Sequence, residues 1–170
     1  MEAKALLAQI GEKDTKEFAL QQGQEAIRAE KWDLAIRYFE RALQYDPNDA
    51  QLIQSINLIK AKAGGYSLQA AESALKAGQV MVAMEHYGVA QKYLGQEGAA
   101  ALNTLRQRLA TGAKVPGDRF KTKQQLGSAW YWYEKTRDLN PEYPEIFFLI
   151  QEVEDAIKLR VLKSIAVFDF

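Results

Sequence analysis

Three stretches of this chain lie over one another without a gap. They are residues 32–47 (WDLAIRYFERALQYDP), 80–95 (VMVAMEHYGVAQKYLG) and 126–141 (LGSAWYWYEKTRDLNP), whose starts are 48 and 46 residues apart. Repetition at a near-constant period narrows the fold sharply. Each repeat is one supersecondary unit that cannot bury its apolar face alone, so neighbours have to stack. The aligned columns say which unit it is. A small residue recurs at Ala35, Ala83 and Ala129, followed by a large apolar one at Ile36, Met84 and Trp130. Four positions after the small residue comes an aromatic (Phe39, Tyr87, Tyr133), and three further on Ala42, Ala90 and Thr136. Steps of three and four place these side chains on one helix face. Small beside large is what closely packed helices require. Trp130 and Tyr133 are therefore expected in the core. Pro47, Gly95 and Pro141 end the three blocks.

A further helix follows each block. Leu52, Ile53, Ile56, Ile59 and Ala63 form one stripe, Leu102, Leu105 and Leu109 a second, and Ile146, Ile150, Val153 and Ile157 a third. Helices also precede the first two blocks. Asp14-Thr15-Lys16-Glu17 has the residues of a capping box, and Gly64-Gly65 is expected to break the chain before the second block. Before the third, Val115-Pro116-Gly117 reads as an interruption. It leaves only residues 118–125 for a leading helix. Residues 1–13 read as a short helix on Leu6, Leu7 and Ile10. At the other end, 144–163 reads as a helix and 164–170 as a tail. The β-branched and aromatic run over 165–170 predicts a short strand that could begin a following domain.

Composition closes several functional classes. Twenty-two basic residues balance twenty-two acidic ones, so no global field draws the chain to nucleic acid or an anionic membrane. There is no Cys, which excludes disulfides, thiolate chemistry and Cys-based zinc sites. No apolar run reaches the ~18 residues of a membrane span. Met1-Glu2-Ala3-Lys4 does not open a signal peptide. The expectation is a soluble protein, cytoplasmic, or periplasmic if a leader has been removed.

Residues 16–49 resemble one tetratricopeptide repeat (TPR). Gly23, Ala35, Phe39, Ala42 and Pro47 stand at that family's signature positions and Trp32 at its large turn-proximal one, while Ala26 departs from the usual tyrosine. Residues 64–97 resemble it more weakly, through Ala71, Ala74, Gly78, Ala83, Tyr87 and Ala90, with Gly95 replacing the proline. Residues 110–143 are a degenerate copy that keeps Ala129, Tyr133 and Pro141. The spacing exceeds the family's 34 residues, which implies an extra helix between motifs. The resemblance implies an all-α, right-handed solenoid of antiparallel helix pairs over 1–163, with about seven to nine helices. It also implies a protein-interaction scaffold rather than an enzyme. The closing Ser164-Ile165-Ala166-Val167-Phe168-Asp169-Phe170 resembles the first strand of the α/β domain in curli-secretion-type envelope lipoproteins. That likeness would make the chain the repeat portion, or a spacer, of a larger envelope protein.

In TPR proteins the first helix of each repeat lines a concave groove that binds a peptide or helix of a partner. The matching positions are Glu17, Leu20, Gln24, Ile27 and Arg28, then Leu68, Glu72, Leu75 and Lys76. Leu20 and Gln24 stand where the chaperone-binding version has Lys and Asn, so a carboxylate clamp is not expected. The groove is either open to a partner or filled by the C-terminal segment. A second candidate is Tyr131 with Trp132, out of the core columns within four consecutive aromatics. These two either pack on the C-terminal helix through Phe147 and Phe148 or form a contact patch, with self-association as one use of it.

No catalytic set can be assembled. The single His, His86, shares a column with Tyr38 and Trp132 and lacks a companion base or nucleophile. Glu152, Glu154 and Asp155 read as a solvated helix face, without a calcium-loop pattern, and no phosphate loop is present. No metal or cofactor is expected. Arg106, Arg108, Lys114, Lys121 and Lys123 make one basic stretch near the aromatics, too small to predict nucleic-acid binding.

Overall fold

A computed structural model of the chain describes residues 15–96 and 98–168. The described residues form seven helices: α1 (Lys16–Arg28), α2 (Trp32–Tyr45), α3 (Ala50–Lys76), α4 (Val80–Leu94), α5 (Ala99–Thr122), α6 (Leu126–Leu139) and α7 (Ile146–Phe168). They pack as adjacent pairs in a TPR-like, all-α arrangement. The helix expected over 1–13 lies outside the described residues. Two compact units divide the chain. One ends at Ser67 and includes Val89–Gly95; the other holds Leu68–Gly88 and the residues from Gln96 onward.

The first unit shows how a pair is built. Thr15 caps α1, its Oγ1 accepting from the Phe18 N–H at 3.1 Å. That is one residue later than the capping box predicts, and the residue at the box's glutamate position is then Phe18, so the cap is one-sided. Ala19, Gly23 and Ala26 form the buried stripe of α1, against Ala35, Ile36, Phe39 and Ala42 of α2. Gly23 is required there, because a Cβ would collide with the Phe39 ring. Asp49 then caps α3, its Oδ1 accepting from the Leu52 N–H at 3.0 Å. Lys16 reaches Asp49 Oδ2 at 2.9 Å, tying the start of α1 to this junction. The Leu52 N–H, and next Lys16, hold the Asp49 carboxyl below its ordinary range. Leu52, Ile56, Ile59 and Ala63 complete the core, and Trp32 stacks on Tyr66 with ring centroids 5.3 Å apart.

The expected break at Gly64-Gly65 does not occur, since α3 runs unbroken from Ala50 to Lys76. A Cβ on Gly64 would lie 2.6 Å from Leu94 Cγ. The glycine lets Leu94 sit on the helix backbone, and that packing offsets a propensity penalty of about 1 kcal/mol. Gly65 meets nothing within 4 Å, and the structure offers no packing reason for it. The break expected at Val115-Pro116-Gly117 is also absent, with Pro116 inside α5. The helix that follows one block and the helix that leads the next are therefore a single long helix, in both α3 and α5. This accounts for the period. Fusing them adds ~13 residues to a 34-residue repeat, ~20 Å of helix.

The second unit holds two apolar clusters. Ala71, Ala74 and Ala83 pack with Leu105 and Leu109. Leu126, Ala129 and Tyr133 pack with Ile146, Ile150 and Val153. Gly117 is the counterpart of Gly23, and a Cβ there would lie 2.7 Å from Tyr133 Cε1. Backbone closure repeats as well. Glu30, Gly78 and Gln124, spaced 48 and 46 apart, all have positive φ (55°, 73° and 58°) in the three-residue turns between paired helices. In each turn the following N–H returns to a carbonyl five residues earlier, as Lys31 to Ala26, Gln79 to Ala74 and Gln125 to Phe120. This is the Schellman closure of a helix end.

Two further expectations are corrected. The strand over 165–170 is helix through Phe168, and 169–170 lie outside the described residues. β-Propensity reflects fit to a neighbouring strand. The described residues contain no strand to pair with, whereas a helix satisfies its own N–H and C=O groups. Trp130 is exposed, not core, and its Nε1 donates to Glu154 Oε1 at 3.1 Å. Glu154 of α7 is a polar partner where an apolar one was expected.

Candidate protein-interaction site

The second unit contains an open cleft of about 630 Å³. Its walls come from the end of α3 (Leu75), the turn and first residues of α4 (Gly78 to Val82), one face of α5 (Gly112, Val115, Pro116, Arg119) and Trp132 of α6. The α5 residues recur at three- and four-residue steps, so a single helix face supplies them. Gly112 sets how closely that face approaches its neighbours, since a Cβ there would lie 2.8 Å from Leu75 Cδ1 and 3.6 Å from Val80 Cγ2. Met81, Val82 and Val115 leave 41%, 40% and 56% of their surfaces in water. Three large apolar side chains so exposed around one concavity form a patch whose burial by another molecule is favourable. Tyr131 borders it, its hydroxyl 3.8 Å from Met81 Sδ and its ring edge-on to Trp132.

The structure joins some of the sequence candidates and separates others. Trp132 lines the cleft and Tyr131 flanks it, so both face α4 and α5 rather than Phe147 and Phe148, which are themselves largely exposed. Leu75 is the one residue of the groove set that reaches the cleft. Leu68 is half-buried in the Leu105 cluster, Glu72 pairs with Arg108 at 3.7 Å, and Lys76 is exposed. Glu17, Leu20, Gln24, Ile27 and Arg28 form a separate stripe on α1. There Leu20 and Ile27 pack against the core and the other three face solvent.

Sequence reading missed Met81, Val82, Gly112, Val115, Pro116 and Arg119. A signal was present. Met81 occupies the column of Asp33 and Gly127, so an apolar residue stands where a solvent-facing one belongs. Val115 and Pro116 were hidden by being read as a helix break.

Elsewhere, several charged groups pair with one another. In the first unit a smaller concavity of about 260 Å³ holds Asp33, Arg37, Glu40, Lys60, Lys92 and Tyr93. Asp33 accepts from the Tyr93 hydroxyl and from Lys92 Nζ at 3.3 Å, and Lys60 meets Glu40 at 2.8 Å. The Tyr93 hydrogen bond, and then Lys92, hold the Asp33 carboxyl low, while burial and Asp33 raise the Tyr93 phenol. Most of the basic stretch around α5 is likewise engaged. Lys114 meets Asp118 at 2.7 Å, Lys121 meets Glu152 at 2.6 Å, and Arg106 donates to Asn103 at 2.8 Å. Asp155 pairs with Lys158, and His86 is half-buried on α4. A further apolar surface lies along α7, where Leu159, Val161 and Leu162 are more than half exposed. No helix among the described residues is long and apolar enough to cross a membrane.

No protein-family profile matches the chain, and no curated protein matches it. Among solved structures, it is similar to one titled "Crystal structure of MamA protein", with 18% identity over 91% of this chain and 88% of that one and a TM-score of 0.30.

Proposed function

We propose that this chain is a non-catalytic protein-interaction module that holds a peptide or helix of a partner protein, and that the cleft of the second unit is the holding surface. The observation that carries this reading is an apolar concavity whose walls keep Met81, Val82 and Val115 exposed, with Trp132 and Tyr131 beside it. Aromatic and methionine side chains at a concave, partly desolvated surface are the usual anchors of protein interfaces. The polar concavity of the first unit supports the reading by contrast, because both of its carboxylates, Asp33 and Glu40, are already paired with lysines.

Affinity capture from fractions of the source cells tests it, with the wild-type chain beside Met81→Asp, Trp132→Ala and a Leu20→Ala/Gln24→Ala double variant. The expected outcome is a protein bound by the wild type and the α1 variant and lost from both cleft variants. Retention by the cleft variants with loss from the α1 variant would move the surface to α1. Identical behaviour of all four would refute both surfaces.

A further inference from the structure

The cleft has a charge as well as a shape. Its one charged lining residue is Arg119, which is exposed, and no carboxylate lines it. Three other cations of the second unit are paired off: Arg108 with Glu72, Lys114 with Asp118 and Lys121 with Glu152. Among the described residues the Arg119 side chain has no ion-pair or hydrogen-bond partner. A guanidinium is always charged and presents a planar fork of donors that matches a carboxylate. At the mouth of an apolar cleft it selects an anionic group adjoining an apolar one.

The backbone adds a second feature. Pro116 lies inside α5 and has no N–H, so the Gly112 carbonyl one turn earlier lacks the donor that position normally supplies. Gly112 and Pro116 both line the cleft. An acceptor short of its donor and a cation short of its anion thus occur on one helix face, two turns apart. Met81 opposite them is unbranched and flexible, suited to closing over side chains of different shape.

We propose that the cleft takes a peptide segment in which a large apolar side chain is followed within a few residues by Asp or Glu. The apolar side chain fills the space between Met81, Val115 and Trp132, and the carboxylate pairs with Arg119. The proposal rests on the interaction-module reading above and specifies its partner as an acidic-hydrophobic segment.

Fluorescence polarisation of labelled nine-residue peptides against the full chain tests this. Each peptide carries one Leu, Phe or Trp and, two to four residues later, Glu, Gln or Lys, in a Gly-Ser background. Glu peptides are expected to bind about tenfold more tightly than their Gln counterparts, the worth of one charge-assisted pair, with Lys peptides weakest. Arg119→Glu should reverse the order so that Lys peptides lead, and Met81→Asp should abolish binding of all. Arg119 and Met81 are both exposed, and unchanged thermal melts will establish that the variants keep the fold. If Gln peptides match Glu peptides and both are lost in Met81→Asp, the carboxylate assignment is wrong while the apolar cleft stands. If no peptide binds, or binding survives Met81→Asp, the proposal falls together with the cleft as the holding surface.

Discussion

The pairs α1–α2 and α5–α6 are built on the same joint with different chemistry around it. In the first, Gly23 lies under the Phe39 ring; in the second, Gly117 lies under Tyr133. Phe39 retains 7% of its surface and has no polar atom, whereas Tyr133 is fully buried. The Tyr133 hydroxyl donates to Asp118 Oδ1 at 2.9 Å, and Lys114 holds the other carboxylate oxygen at 2.7 Å. Pro116 sits beside the second glycine, where the first has Gln22. The difference teaches that the joint is a steric requirement met by one missing Cβ. Around it the helix tolerates a proline, and the aromatic can gain a polar handle provided that the handle finds a partner.

The comparison can be broken at the glycines first. Gly23→Val and Gly117→Val should each cost about 3 kcal/mol in chemical denaturation, because a well-packed ring has to move. Gly127, which meets nothing within 4 Å, is the control, and its replacement by Val should cost well under 1 kcal/mol. Equal losses at Gly117 and Gly127 would show that the ring does not set the requirement.

A smaller effect sharpens the contrast between the two aromatics. Tyr133→Phe converts the second joint into the chemistry of the first and should cost about 1 kcal/mol at neutral pH, the net worth of a hydrogen bond. Burial, and then the Asp118 hydrogen bond, raise the Tyr133 phenol above its ordinary range. A group raised on folding contributes its stability fully below its unfolded value of about 10 and loses it as pH climbs beyond. The wild type should therefore lose stability more steeply than Tyr133→Phe in melts taken between about pH 9 and 11. Parallel curves would mean that the hydroxyl is not protected.

The smallest effect lies in the turns. Gly78 suits its positive φ, while Glu30 and Gln124 adopt the same conformation with a Cβ. Gln124→Gly and Glu30→Gly should each stabilise by about 0.5 kcal/mol, strain relief outweighing the added freedom of the unfolded chain. Gly78→Ala should destabilise. A loss in the first two variants would show that side-chain contacts, not φ, hold those turns.

Much of the fold was legible before any coordinates. The columns Ala35/Ala83/Ala129 and Phe39/Tyr87/Tyr133 placed the short helices, and Ile56, Ile59 and Val153 placed the inner face of the long ones. Legibility stopped where local propensity and tertiary packing disagree. Gly64, Pro116 and Gly117 each weaken a helix in isolation, and the 165–170 run favours a strand in isolation, yet all but its last two residues lie in helices. The candidate site was half legible. Tyr131 and Trp132 stood out as surplus aromatics, but Arg119 and Met81 carried no motif, and Leu75 is the only groove residue to meet them.

By itself, then, the sequence determined the helices of the repeats, the repeat and its period, because the step of an apolar pattern is a property of one helix. Only the tertiary structure decided that α3 and α5 are continuous, because the contacts that hold them so, Leu94 on Gly64 and Tyr133 on Gly117, come from residues distant in the chain. It also decided which cations are spent, because an ion pair such as Arg108 with Glu72 depends on how two helices meet. The cleft belongs to that second category, its walls being drawn from four helices and Arg119 being the one charged side chain that packing placed along them.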